Sequence, residues 1–120
     1  MRRIAIVEDF SAIREFYKNA LESVNVEIHD YPCGTVAVKN ISHFQPDLLI
    51  LDHRLPDMPG YSVLEQVPEI QNIPVIVISG YLDPQYIPYY QALGVTNILS
   101  KPIDVQTLLE RVSTLLAEAS

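Results

Sequence analysis

The stretch Asp47-Leu48-Leu49-Ile50-Leu51-Asp52-His53-Arg54-Leu55-Pro56-Asp57-Met58-Pro59-Gly60 organises the reading of this chain. Leu48–Leu51 is an apolar run with no polar interruption, which predicts a strand. It stops at an acid and gives way to a loop marked by Pro56, Pro59 and Gly60. Residues 61–67 then predict a short helix. Outward from this unit the same alternation repeats about five times. Upstream, residues 3–7 predict a buried first strand, and from Ser11 the apolar spacing turns helical through Ile13, Tyr17, Ala20, Leu21 and Val24. Val26–Tyr31 alternates as a strand with one polar face, and residues 35–42 predict a second helix between Gly34 and Pro46. Downstream, Pro68 and Pro74 bracket a loop before a fourth strand at 75–78. A weaker helix follows between 83 and 93, ended by Gly94, and a brief fifth strand lies at 97–99. Asp104 N-caps a last helix whose stripe is Leu108, Leu109, Val112, Leu115 and Leu116.

Strand–helix alternation in a chain this short implies a parallel sheet covered by helices on both faces. Right-handed crossovers leave few strand orders. For five strands the expectation is an α/β, flavodoxin-like, doubly wound fold of order 2-1-3-4-5.

Composition bounds the function classes. The 120 residues are expected to form one domain (1–120), with 48% apolar and 19% charged residues, as in an ordinary globule. A net charge of −7 argues against direct nucleic-acid binding, which needs clustered Lys and Arg. No apolar run is long enough for a bilayer and no signal-peptide pattern follows Met1-Arg2-Arg3, so no membrane partner and a cytoplasmic location are expected. Cys33, the single cysteine, reads as a small, mostly buried apolar residue.

In an open α/β sheet, ligands bind beyond the carboxyl ends of the strands, where the strand order reverses. Those ends carry Glu8 and Asp9, then Asp52, then Ser79-Gly80, then Lys101-Pro102. Three carboxylates, a hydroxyl and an ammonium thus converge from four strands. The acids would repel one another without a hard divalent cation, Mg2+ by preference, which engages few carboxylates and keeps waters. Lys101 and Ser79 are then placed to hold phosphoryl oxygens. The layout suits phosphoryl transfer, with an Asp carboxylate able to form an acyl phosphate.

Glu8-Asp9 after a buried strand, the run from Asp52 to Gly60, Ser79-Gly80 and Lys101-Pro102 together resemble the signature of response-regulator receiver domains of two-component signalling (the CheY-like family). Each motif alone is weak; the ordered set over the whole chain is strong. The resemblance implies Asp52 as phosphoacceptor, Asp9 as direct Mg2+ ligand, Glu8 as a ligand through water, and the backbone carbonyl of Arg54 as another ligand. It implies that Ser79 binds the phosphoryl group and shifts on phosphorylation. Lys101 would pair with that group, aimed by a cis bond before Pro102. The donor would be a sensor histidine kinase, a phosphotransfer protein or a small acyl phosphate. Output would emerge from the face of the fourth helix, fifth strand and fifth helix, toward a downstream protein or domain. Such a domain supplies the groups for its own phosphorylation and slow dephosphorylation and is not a turnover enzyme.

Two departures bear on the switch. Ile98 stands where the family commonly carries an aromatic three positions before the lysine, and it cannot reproduce the swing of a ring. Pro88 predicts a late start for the fourth helix, with 81–87 as a loop whose neighbouring tyrosines, Tyr81, Tyr86, Tyr89 and Tyr90, cover the shortened helix at its rim. Arg54 and Tyr81, two residues beyond Asp52 and Ser79, border the phosphoryl group and are expected to slow its hydrolysis, and Gly80 belongs to the same switch segment. His53 is expected to face away from Asp52. His29 and His43 read as surface residues, Gly34 and Gly94 as turn or helix-end glycines, and Met58 as packing beneath the loop.

The rival functions fare worse. A phosphohydrolase with an aspartyl nucleophile needs a second acid two residues on, where Arg54 stands. A flavin mononucleotide carrier needs a phosphate loop, but Glu8-Asp9-Phe10 would repel phosphate. A degenerate receiver acting as a phosphorylation-independent scaffold would not need the full set of Glu8, Asp9, Asp52, Ser79 and Lys101.

Overall fold

The computed structural model describes residues 1–118. Five parallel strands, β1 (Arg2–Val7), β2 (Val26–Tyr31), β3 (Leu48–Leu51), β4 (Val75–Ser79) and β5 (Asn97–Ser100), form one sheet in the order β2-β1-β3-β4-β5. They alternate with α1 (Ser11–Ala20), α2 (Gly34–Phe44), α3 (Gly60–Gln66), α4 (Ile87–Ala92) and α5 (Val105–Glu118). This is the doubly wound architecture expected from the apolar pattern.

The side-chain period of two divides each buried strand between two cores. Ile4, Ile6, Leu48, Ile50, Ile76 and Ile78 face α1 and α5, where Tyr17, Leu21, Leu108 and Val112 meet them. Ala5, Val7, Leu49, Leu51, Val75 and Val77 face α2, α3 and α4, against Ala37, Ile41, Val63, Leu64 and Tyr90. β3 and β4 are buried throughout and β1 from Ile4 to Val7, so their register leaves no slack. That pins Val7 beside Leu51 and Val77 beside Leu51, and fixes where each strand ends.

Some element ends differ from expectation. α1 stops at Ala20, because the Leu21 and Val24 amides turn back to Tyr17 and Leu21 carbonyls in a closing turn. α2 begins at Gly34 and runs two residues past Ser42, until Gln45 adopts a left-handed φ of 53°. Its early start has a distant cause: the Asp57 carboxylate accepts from the Gly34 and Thr35 amides at 2.9 and 2.7 Å. Gly34 is a close-approach glycine, since a Cβ there would lie 2.5 Å from Met58 Cγ and Sδ. Met58 does pack beneath the loop. Residues 68–72, expected as loop, form a 3-10 turn. α4 does start late, at Ile87, with Pro88 in its first turn where the missing amide costs nothing. The preceding segment is not all loop. Pro84–Tyr86 makes one 3-10 turn whose Gln85 amide donates to Asp83. Gly94 ends α4 at a φ of 88°, as its helix-end reading requires. No helix among the described residues is long and apolar enough to cross a membrane.

Candidate functional site

Glu8 leaves β1 directly beside Asp52, which leaves β3, because the two strands are hydrogen-bonded neighbours and the Asp52 amide donates to Val7 O at 3.0 Å. Both side chains are buried, at 1% and 5% exposure, unusual for carboxylates and a sign that the site holds them for a purpose. Oxygens of Glu8, Asp9 and Asp52 all lie within 4.8 Å of one another. Lys101, which follows β5, reaches back over the sheet end, its Nζ 2.6 Å from Glu8 Oε1 and 3.0 Å from Asp52 Oδ2. The Lys101 amide is held by Ser79 O, and the Lys101–Pro102 bond is cis, as the resemblance implied.

The electrostatics follow from this crowding. Burial pushes the Glu8 carboxyl above its usual value, against the lowering pull of Lys101 and with the neighbouring acids adding to the rise. Burial opposes the Lys101 ammonium, but hydrogen bonds to Glu8 and Asp52 and their charges outweigh it and raise its pKa. One ammonium against three carboxylates leaves the cluster short of positive charge.

Asp9 shows the shortage most directly: its Oδ1 is buried and has no hydrogen-bond partner among the described residues. Buried polar atoms are rarely left so. Hard oxygen donors from three acids, one of them orphaned, are a set that fits a magnesium ion.

Other backbone contacts hold the acids in place. Arg14 Nη1 donates to the carbonyls of Glu8 and Asp9 at 2.8 and 3.1 Å, while its Nε and Lys18 Nζ both grip Asp30. Phe10 N donates to Glu8 Oε2, and Arg54 N donates to Asp52 Oδ1 at 3.2 Å.

The remaining expected residues lie on or just beyond β3, β4 and β5. Ser79 is buried, with its hydroxyl donating to Tyr81 O at 3.2 Å and not to a carboxylate. Gly80 is exposed, and a Cβ there would meet nothing within 4 Å. The Arg54 side chain is exposed and Tyr81 is 65% exposed. Ile98 is half-buried against the core beneath α3 and α4.

Two expectations are corrected, those for Tyr90 and Cys33. Tyr90 is no rim residue but is fully buried in the core. Tyr86 and Tyr89 do lie at the rim, ringed with Tyr61, whose plane stacks on Tyr89 at 5.5 Å and 14°. His53 is turned into a hydrogen bond between its Nδ1 and the Tyr90 hydroxyl at 2.6 Å. It is buried, and that burial holds the imidazole below its usual pKa. His29, exposed as expected, stacks on Phe44. Cys33 is only half-buried. The sequence reading assigned no role to Arg14, Asp57 or the His53–Tyr90 pair. Arg14 had a weak signal, a cation one turn into the helix that follows two acids; Tyr90 had none, since 37 residues separate it from His53.

Comparison with known proteins matches a family model, the response regulator receiver domain, to residues 4–113. The regulatory protein LuxO of Vibrio cholerae is 28% identical over 96% of this chain, which spans only 26% of LuxO. The chain therefore spans about a quarter of the length of that curated relative. Among solved structures, the signal receiver domain of a LuxO repressor protein from Vibrio parahaemolyticus superposes with a TM-score of 0.89 at 28% identity, covering 99% of this chain and 93% of that one. A CheY-like receiver domain protein from Methanospirillum hungatei gives 0.93 at 26% identity, covering 99% and 96%.

Proposed function

This chain belongs to the response regulator receiver domain family, and on that premise we propose that Asp52 accepts the phosphoryl group by which it signals. The observation that carries the reading is the buried carboxylate of Asp52, bridged to Lys101 at 3.0 Å beside Glu8 and Asp9. An Asp52 oxygen attacks the phosphorus of a phosphohistidine or a small acyl phosphate. The P–N or P–O bond to the donor breaks, and the donor leaves with that electron pair. Lys101 lies within reach of the new phosphoryl oxygens, and the Ser79 hydroxyl becomes available to them once it releases Tyr81 O. Magnesium, held by Asp9, Asp52 and the Arg54 backbone carbonyl with Glu8 behind them, would neutralise charge as the phosphoryl group arrives.

The donor, by this reading, is a sensor histidine kinase or phosphotransfer protein in the cytoplasm. Output passes to a downstream protein or domain through α4, β5 and α5. The domain supplies groups for its own modification and does not turn over a substrate. Intact-mass analysis after incubation with acetyl phosphate and Mg2+ tests this. One phosphoryl adduct of roughly 80 Da is expected, absent without Mg2+ and absent from Asp52→Ala. No adduct from acetyl phosphate or from any phosphorylated kinase would overturn it.

A further inference from the structure

Tyr90 sits on α4 with its ring fully buried, and its hydroxyl reaches the side chain of His53, the residue after Asp52. That oxygen shares a 2.6 Å hydrogen bond with His53 Nδ1. A Cβ placed on Gly60 would lie 2.9 Å from it, and would also meet the carbonyl oxygen of Asp52 and His53 Cα at 3.1 Å. Only glycine at the start of α3 lets the α4 hydroxyl and the end of β3 come so close. The Gly60 amide closes the arrangement by donating to His53 O at 2.7 Å.

The surroundings make this link stiff. The His53 ring is boxed by Tyr86, Tyr90 and Tyr61 at centroid distances of 4.7, 5.6 and 6.1 Å. A buried polar pair cannot separate without leaving both partners unsatisfied, so when one side moves the other follows. One side is the residue after Asp52, and the next amide along, Arg54 N, donates to Asp52 Oδ1. The other side is α4. Ile98 of β5 offers the core on this side of the sheet only an aliphatic surface.

We propose that Tyr90 is a positioning residue whose hydrogen bond to His53 ties α4 to the phosphoacceptor loop, so that modification of Asp52 reaches α4 through this bond. The proposal rests on the reading of Asp52 as phosphoacceptor. It gives this chain a route to α4 that does not need an aromatic at position 98. Coupling is reciprocal, so whatever holds α4 also acts back on the loop.

The test compares amide hydrogen exchange of residues 87–92 with and without beryllofluoride and Mg2+, a mimic of the phosphoryl group. Wild type, Tyr90→Phe and Ile41→Val are measured, the last a core control on the buried face of α2. Wild type is expected to bind beryllofluoride and to change exchange across α4. Tyr90→Phe is expected to bind it too, with the α4 change reduced roughly fivefold or more, while Ile41→Val responds as wild type. If Tyr90→Phe folds poorly, His53→Leu with Tyr90→Phe removes both polar partners and is read the same way. A wild-type-sized α4 response in the variant that folds overturns the proposal alone. An equal loss in Ile41→Val also overturns it, since the cause would then be stability. Failure of wild type to bind beryllofluoride overturns the phosphoacceptor reading and this proposal with it.

Discussion

Replacing Asp9 by Asn should stabilise the protein without metal and remove its response to magnesium. The three carboxylates approach within 4.8 Å, and at an effective dielectric of ~20 two unit charges at that separation repel by roughly 3.5 kcal/mol. Lys101 answers Glu8 and Asp52 directly, whereas Asp9 Oδ1 has no partner among the described residues. Asp9 is partly exposed, and screening by water reduces the relief from Asp9→Asn to about 1–2 kcal/mol. The substitution keeps the shape and deletes one charge. Urea unfolding in EDTA should then show the midpoint rising by roughly 1 M, taking a typical slope for a small domain. Magnesium at tenfold its dissociation constant should stabilise wild type by about 1.4 kcal/mol and the variant far less. A variant less stable than wild type in EDTA, or one that gains equally from magnesium, would refute the reasoning.

Three further outcomes are expected. Asp57→Ala should cost about 1 kcal/mol in urea unfolding, because it strips the cap from the α2 amides of Gly34 and Thr35. The Thr35 hydroxyl and these amides hold the Asp57 carboxyl down to about 2, so its contribution is complete above the ordinary carboxylate range and lost as pH falls from about 4 toward 2; the acid limb of the stability curve should be shallower in Asp57→Ala. Gly60→Ala should cost roughly 1–3 kcal/mol, since the Cβ meets the backbone of Asp52 and His53 and neither can yield; a neutral result in thermal unfolding would contradict the close approach. The Arg54→Ala, Tyr81→Ala double variant should lose its phosphoryl group faster than wild type, measured by mass against time after donor removal, and slower loss would sink the idea that these side chains restrict the attacking water.

Much of this was legible in the sequence for a physical reason. Fully apolar runs such as Leu48–Leu51 and Val75–Ile78 have nowhere to go but the middle of a sheet, and β3 and β4 lie there with every residue buried. Once the strand order is fixed, the acids after β1 and β3 and the lysine after β5 must share one edge, so Glu8, Asp52 and Lys101 could be placed together without coordinates. What local sequence could not supply were contacts between distant segments. The start of α2 depends on Asp57, 22 residues beyond Thr35. The partner of His53 lies 37 residues away, on a helix whose run of tyrosines gives no sign of which one is buried. Ser79 was legible as the residue that ends β4 but not in its orientation, which depends on a carbonyl two residues along.

The most direct test of the central claim is to locate the modification. The phosphorylated protein is treated with borohydride, which reduces an acyl phosphate to an alcohol, and the peptides are mapped by mass spectrometry. The account predicts homoserine at position 52 and unreduced carboxylates at Glu8 and Asp9. Reduction at Glu8 or Asp9, or phosphate retained on a residue that borohydride does not reduce, would contradict it.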